Sequence, residues 1–245
     1  MITIYVHPTC YSSYHLVKEL KGKSLRGLEF KVLRSPQLSL TRGIVSVPWV
    51  EVGGSPAATD PVSAEEVEQM ASGKYAPSVG KPEEAFMKAL LSSSFSAALS
   101  LLHGDIVPAI SRAFVMAALR TPFSGLDERE IMEDLLRSSR ALYENAEQKI
   151  AKTVSMAYVR ELYWAGAREA RADKVAFYSW LLAKASIGRA GLPIDPRERN
   201  ERGIGLVLSI IEGEGERLME RVAREQSTIY GDREYLEYVK SLDQV

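Results

Sequence analysis

The sequence predicts an α/β domain over residues 1–76 followed by an all-α helical domain over residues 82–245, and three observations carry that division. Strand-like alternation and short helical patterns take turns through the first third of the chain. Beyond Pro82 the strand signals vanish and helical spacing takes over. Between the two, Lys74 to Lys81 contains Pro77 and Gly80 and shows no periodicity, which marks a linker.

The elements of the first part follow in order. Ile2, Ile4 and Val6 alternate with Thr3 and Tyr5 as a short strand, and Tyr14, Leu16, Val17 and Leu20 give Tyr11 to Lys21 a helical face. Gly22 and Gly27 punctuate the turn before a second strand over residues 28–33, close enough to the first to form a βαβ unit. Pro36 to Arg42 offers a turn or two of helix. Gly43 to Gly54 reads as a loop, a proline at Pro48 and a strand ending in the Gly53-Gly54 turn. Ser63-Ala64-Glu65-Glu66 is a capping box that starts a helix ending near Gly73.

In the second part, Pro82-Glu83-Glu84 starts a helix that runs to Leu102. Asp105 caps the next, through Arg120, with Pro108 in its first turn. Asp127 opens a long helical run to Trp164, expected to bend or break once. A further helix spans residues 172–187, stopped by Gly188, Gly191 and Pro193. Residues 196–230 are helical, with continuity in question at Gly213 and Gly215, and residues 233–242 close the chain. The expected total is five to seven helices.

Composition narrows the function classes. The 31 basic and 32 acidic side chains leave a net charge of −1, so no general pull toward nucleic acid or an anionic membrane is expected. No apolar run reaches the ~20 residues that span a bilayer, and the opening strand pattern is not that of a signal peptide. One cysteine excludes an internal disulfide framework and a multi-cysteine metal site, and three scattered histidines give no metal-ligand spacing. The expectation is a reduced, cytoplasmic protein with no metal. Scarce asparagine, at Asn145 and Asn200 alone, beside many Arg and Glu hints at a thermophilic source.

The lone cysteine is placed where chemistry is favoured. Cys10 follows His7-Pro8-Thr9 at the hand-over from the first strand to the first helix. Unpaired N–H groups and the positive end of the helix dipole stabilise a thiolate there, and such cysteines titrate about one to five units below the free value. The alternative is a small buried core residue. His7 stands either as a strand-end residue or as part of the site. His15 lies about 140° around the helix from Cys10 and belongs to the surface or to packing, and His103 before Gly104 reads as a helix-end residue. Glu212, Glu214 and Glu216 read as a solvated helix break and not as an acid–base pair, and Arg197, Arg199 and Arg202 with Glu198 and Glu201 as an ion-pair-laced face.

The order of these elements, together with Pro8-Thr9-Cys10-Tyr11-Ser12-Ser13, Ser46-Val47-Pro48-Trp49-Val50 ahead of Gly53-Gly54, and a last helix ending in Ala71-Ser72-Gly73, resembles the thioredoxin-like superfamily and its glutaredoxins over roughly residues 1–80. The resemblance implies that Cys10 is the nucleophile, that Pro48 is cis and that Val47 offers its backbone to an extended thiol substrate. It implies substrate contacts from His7, Tyr11, Ser12, Val47 and Pro48, and from Thr59 and Asp60 as the polar pair that holds the γ-glutamyl end of glutathione. This sequence departs from the pattern in three ways. Ser13 replaces the second cysteine, His7 is the nearest stand-in for the usual cation, and Ser55-Pro56-Ala57-Ala58 intervene before Thr59. A Cys-x-x-Ser site cannot resolve its own mixed disulfide, so turnover needs an external thiol, glutathione or another low-molecular-weight thiol, as co-substrate and no resident cofactor. Ser13 remains able to donate a hydrogen bond to the thiolate. The opening also resembles glutaredoxin-coupled arsenate reductases, but Ser46-Val47-Pro48-Trp49 does not carry their Arg-Pro.

The expected function is therefore a monothiol thiol–disulfide oxidoreductase acting on a small or protein thiol or disulfide, alone or as a homodimer. A non-catalytic thioredoxin-like scaffold and a glutathione-transferase-like enzyme, the latter from the two-part layout, are the alternatives.

Overall fold

The computed structural model describes residues 1–23, 25–186 and 200–244, with side chains for all of these except Pro36, Gln37, Leu38 and Gln244. The expected helix stop at Gly188, Gly191 and Pro193, the helix start at Pro196 and the charges Arg197, Glu198 and Arg199 lie outside the described residues.

Strands β1 (Ile2–Val6), β2 (Leu28–Val32), β3 (Trp49–Val52) and β4 (Ser55–Thr59) form a mixed sheet in the order β4-β3-β1-β2. Helix α1 (Tyr11–Leu20) connects β1 to its parallel neighbour β2, with Ile4 opposite Phe30, while β3 runs antiparallel to both β1 and β4. This four-stranded core, followed by a mostly helical remainder, matches the predicted layout and is compatible with the thioredoxin-like expectation. Strand β4 is an addition to the reading. Helix α2 (Pro36–Thr41) precedes β3, and α3 (Ala64–Ala71) starts at the predicted capping box, where Ser63 and Glu66 each bond the other's backbone.

The period-two pattern of β1 sorts its side chains onto two buried faces. Ile2, Ile4 and Val6 join Val17, Leu20 and Val67 under α1 and α3, whereas Tyr5 joins Trp49 in a core built mainly by helices. Both faces of the sheet are thus covered, giving helix, sheet and helix layers.

The helical part holds α4 (Pro82–Ser92), α5 (Ser94–His103), α6 (Arg112–Leu119), the short α7 (Thr121–Ser124), α8 (Glu128–Trp164), α9 (Lys174–Ser186), α10 (Glu201–Gly231) and α11 (Arg233–Ser241). The single helix expected over 82–102 is two helices meeting at 102°. Ser93 makes the break, because its hydroxyl caps Ser96 N at 3.1 Å and donates to Val45 O at 2.6 Å. The helix expected from Asp105 is likewise divided. Asp105 accepts from Val107 N at 2.9 Å ahead of a single 3-10 turn, Val107–Ala109, and Ser111 then caps α6. In contrast, α8 runs without the expected break for 37 residues, about 55 Å at 1.5 Å per residue. Helix α10 continues through Gly213 and Gly215. The eight α-helices among the described residues from Pro82 onward exceed the five to seven expected.

The chain then returns to the sheet. Ile229, Tyr235 and Val239 lie in the core beneath α1, and Asp243–Gln244 adds a fifth strand, β5, parallel to Lys31–Val32 of β2. The expectation of purely helical structure after Pro82 fails here, because the open edge of β2 supplies the pairing that two polar residues could not signal alone. Among the described residues no single helix is long and apolar enough to cross a membrane.

Candidate functional site

Cys10 is the N-cap of α1, with extended backbone angles of φ −83° and ψ 123°. Its amide donates to His7 O at 3.1 Å and its carbonyl accepts from Tyr14 N at 2.9 Å, which closes the turn and starts the helix. The thiol donates to Val47 O at 3.4 Å. The Val47–Pro48 peptide is cis, as is Asp60–Pro61. The loop ahead of Pro48 is held by the Ser93 bond to Val45, so the kink between α4 and α5 helps to fix the carbonyl that meets the sulfur.

Several of the predicted residues gather here. Ser13 is fully buried and its hydroxyl accepts from His7 N at 3.3 Å. Ser12 donates to the Asp60 carboxylate at 3.3 Å, and Asp60 N donates to Pro48 O at 3.0 Å. His7 Nδ1 accepts from Thr9 N at 3.3 Å. Thr59 is a different case. It is fully buried with its hydroxyl unpaired, so it presents no side-chain group to a ligand in solution. Tyr11 packs its ring edge-on against His15, 4.4 Å between centroids, and His15 is otherwise exposed, as a surface or packing residue.

The electrostatics differ from the expectation at the sulfur. Burial pushes the Cys10 thiol up, and the Asp60 charge adds to that. The Ser13 amide and hydroxyl and the Arg160 charge pull the other way without prevailing. The helix start is present, but desolvation of a thiolate outweighs it, so the resting group is a thiol. Burial also raises the Asp60 carboxyl to about 6, against smaller lowering by Ser12 and Arg120. His7 is shifted down by burial, then by the charges of Lys184 and Arg34.

The helical part reaches the thiol loop directly. Tyr235 OH donates to Pro8 O at 3.1 Å, and the fully buried Gln226 donates to Thr9 O at 3.1 Å while accepting from Trp164 Nε1 at 3.2 Å. Two successive carbonyls before Cys10 are therefore held from α10 and α11. Arg160 pairs with Glu225 at 2.8 Å beside Gln226, and Lys184 and Trp180 both donate to Glu161. On the other side, Arg120 donates to Pro61 O at 2.7 Å and pairs with Glu66, which also accepts from Tyr75 OH. Sequence reasoning gave no site role to Arg120, Arg160, Gln226 or Tyr235. One signal was present: Gly215, Met219, Val222, Gln226 and Ile229 recur at four- and three-residue spacing and all are buried, so a glutamine stands in an apolar stripe.

Among the described residues, no cluster of three or more His, Cys, Asp or Glu side chains could hold a metal ion. No protein-family model matches the chain, and no curated protein or solved structure matches it either.

Proposed function

We propose that the chain is a glutaredoxin-like monothiol oxidoreductase of the thioredoxin-like superfamily, exchanging disulfides through a mixed disulfide on Cys10. The observation that carries this reading is the sulfur of the lone cysteine at the first turn of α1, set against the backbone of Val47. In the exchange, Cys10 loses its proton and attacks one sulfur of a disulfide. The S–S bond breaks, its electron pair leaves with the second sulfur, and that sulfur departs as a thiol. A second molecule of a low-molecular-weight thiol then attacks the mixed disulfide and releases Cys10. Val47, Pro48 and Ser12 would line the approach of the substrate, with Ser13 as stabiliser of the sulfur.

The raised thiol favours one competing reading, a thioredoxin-like scaffold without turnover. Intact-mass spectrometry after treatment with oxidised glutathione, with Cys10→Ser as control, separates them. The exchange reading expects a single glutathione adduct on the native chain, removed by excess reduced glutathione and absent from the variant. An unmodified chain after prolonged treatment at pH 8 would leave the scaffold reading.

A further inference from the structure

We infer that Gln226 positions the Cys10 sulfur for exchange, acting through the peptide that joins Thr9 to Cys10. This rests on the oxidoreductase reading and adds to it a residue of the helical part, outside the motifs that carry the resemblance.

The two partners of the Gln226 amide fix its orientation. The Trp164 indole N–H can only donate and the Thr9 carbonyl can only accept, so Oε1 faces the first at 3.2 Å and Nε2 the second at 3.1 Å. Glutamine supplies the acceptor and the donor that this pair requires. Asparagine is one methylene shorter, and an ionised glutamate has no donor. The side chain is fully buried, with Val222 and Ile229 as neighbours along the apolar stripe of α10. A methionine would fill a similar volume there with no polar atom to satisfy, so packing alone does not call for an amide.

What the bond fixes is the backbone of the cysteine. The Thr9–Cys10 peptide is held at both ends, its carbonyl by Gln226 and its N–H by His7 O at 3.1 Å. The carbonyl of Cys10 itself accepts from Tyr14 N at 2.9 Å. The peptide planes on both sides of the Cys10 Cα are therefore pinned, and with them the two soft backbone angles of that residue. One rotation, about Cα–Cβ, remains for the sulfur, and the Val47 carbonyl at 3.4 Å selects it. Releasing Thr9 O lets the peptide before the cysteine tilt, which swings the Cα–Cβ bond and carries the sulfur off the Val47 backbone.

Exchange is sensitive to such a tilt in a way that simple alkylation is not. The attacking sulfur must meet a disulfide along its S–S axis while the substrate lies against residues 47 and 48. Misplacement of a reacting atom by about 1 Å can cost about a hundredfold. A small alkylating agent needs no contact with Val47 and approaches from whichever side is open.

The test follows alkylation of Cys10 by iodoacetamide and its exchange with oxidised glutathione in the full-length native chain, Gln226→Met and Gln226→Glu, from pH 7 to 10.5. Both rates are taken to full ionisation of the thiol, which removes any change in thiolate supply, and their ratio is compared. Gln226→Met loses both bonds. Gln226→Glu, once ionised at the alkaline end, still accepts from Trp164 but has nothing to donate to Thr9 O. In both variants alkylation stays within about twofold of native while exchange falls about tenfold, inside the range for a misplaced reacting atom. Circular dichroism confines the comparison to folded chains, and the Gln226→Glu ratio decides alone if Gln226→Met does not fold. A fall in Gln226→Met with a native ratio in Gln226→Glu assigns the effect to packing and overturns the inference. So does a native ratio in both variants, or an equal fall in both rates, which marks a general loosening of the fold. Each of these results leaves the oxidoreductase reading intact. A native chain that alkylates but does not exchange removes that reading, and this inference with it.

Discussion

Replacing Asp60 by Asn should stabilise the protein at neutral pH, and the size of the gain follows from the burial of the carboxylate. The group rises from an ordinary 3.8 to about 6 because burial disfavours its charged form. With a raised acid the folded state binds more protons than the unfolded state between about pH 4 and pH 6. Stability therefore falls as pH rises through that window, and the full penalty persists above it. At about 1.36 kcal/mol per pH unit the penalty approaches 3 kcal/mol, and partial solvent contact of the residue reduces it to about 1–2 kcal/mol. Asn keeps an oxygen to accept from Ser12 and carries no charge. Urea unfolding of both chains from pH 4 to pH 8 measures the difference, in which contributions from other carboxylates cancel. The variant should equal the native chain below pH 4 and exceed it by about 1–2 kcal/mol above pH 6.5. A difference that stays flat across the window, or that favours the native chain at pH 7.5, would refute the claim that Asp60 is a buried carboxylate held under desolvation.

The remaining expectations concern the sulfur and its supports. Cys10 should alkylate slowly at pH 7, with a rate that climbs through a midpoint above its ordinary 9.0; a midpoint below 8 would contradict the balance drawn at the site. Arg120→Ala strips donors from Pro61 O and Ala118 O and the cation from Glu66, so it should cost about 2–4 kcal/mol in urea unfolding and move Asp60 further up. Tyr235→Phe leaves Pro8 O without its partner and should cost about 1–2 kcal/mol while the circular dichroism spectrum stays unchanged. Gly43→Ala should cost about 1–3 kcal/mol, since φ is +77° there and a Cβ would fall 2.8 Å from that of Ala113.

Local chemistry made much of the N-terminal structure readable. Alternation of Ile2, Ile4 and Val6 fixes which face of β1 is buried under α1, and the Ser63–Glu66 capping box states where α3 begins. Where the reading failed, tertiary packing had overruled local preference. Strand β4 is Ser-Pro-Ala-Ala-Thr, a sequence with almost no strand preference, and it is a strand because the Gly53-Gly54 turn folds it back on β3. Gly213 and Gly215 weaken a helix by roughly 1 kcal/mol each, yet α10 is continuous. At Gly215 the reason is close approach, because a Cβ would meet Ala170 O at 3.0 Å. The break at Ser93 was legible in principle, since Ser92, Ser93 and Ser94 are residues that bond the backbone in place of the helix ladder. At the site, the sequence offered Cys10, Ser12 and Ser13 in one stretch and Val47, Pro48 and Asp60 in two others, but helix-start arguments addressed only the favourable half of the thiolate's energy. Burial, the other half, depends on tertiary contacts, from Val47 against the sulfur to the bonds that Gln226 and Tyr235 make with Thr9 and Pro8.

Those distant residues decide how the two parts of the chain depend on each other. Tyr5 and Trp49 of the sheet lie in the helical core, while Ile229, Tyr235 and Val239 from the last helices lie in the core of the sheet. Each part therefore leaves a gap in the other if removed, and the thiol loop joins them, its Pro8 and Thr9 carbonyls accepting from Tyr235 and Gln226. An unpaired buried carbonyl costs about 1–3 kcal/mol, so loosening α10 and α11 would weaken the hold on the loop as well as the packing of the sheet. Cys10 then gains solvent and its thiol falls toward the ordinary value, because desolvation is the largest of the influences that raise it. The helical part thus holds the thiol loop through Pro8 and Thr9, while Arg160 of α8 pulls the sulfur toward the thiolate against the burial that keeps it a thiol.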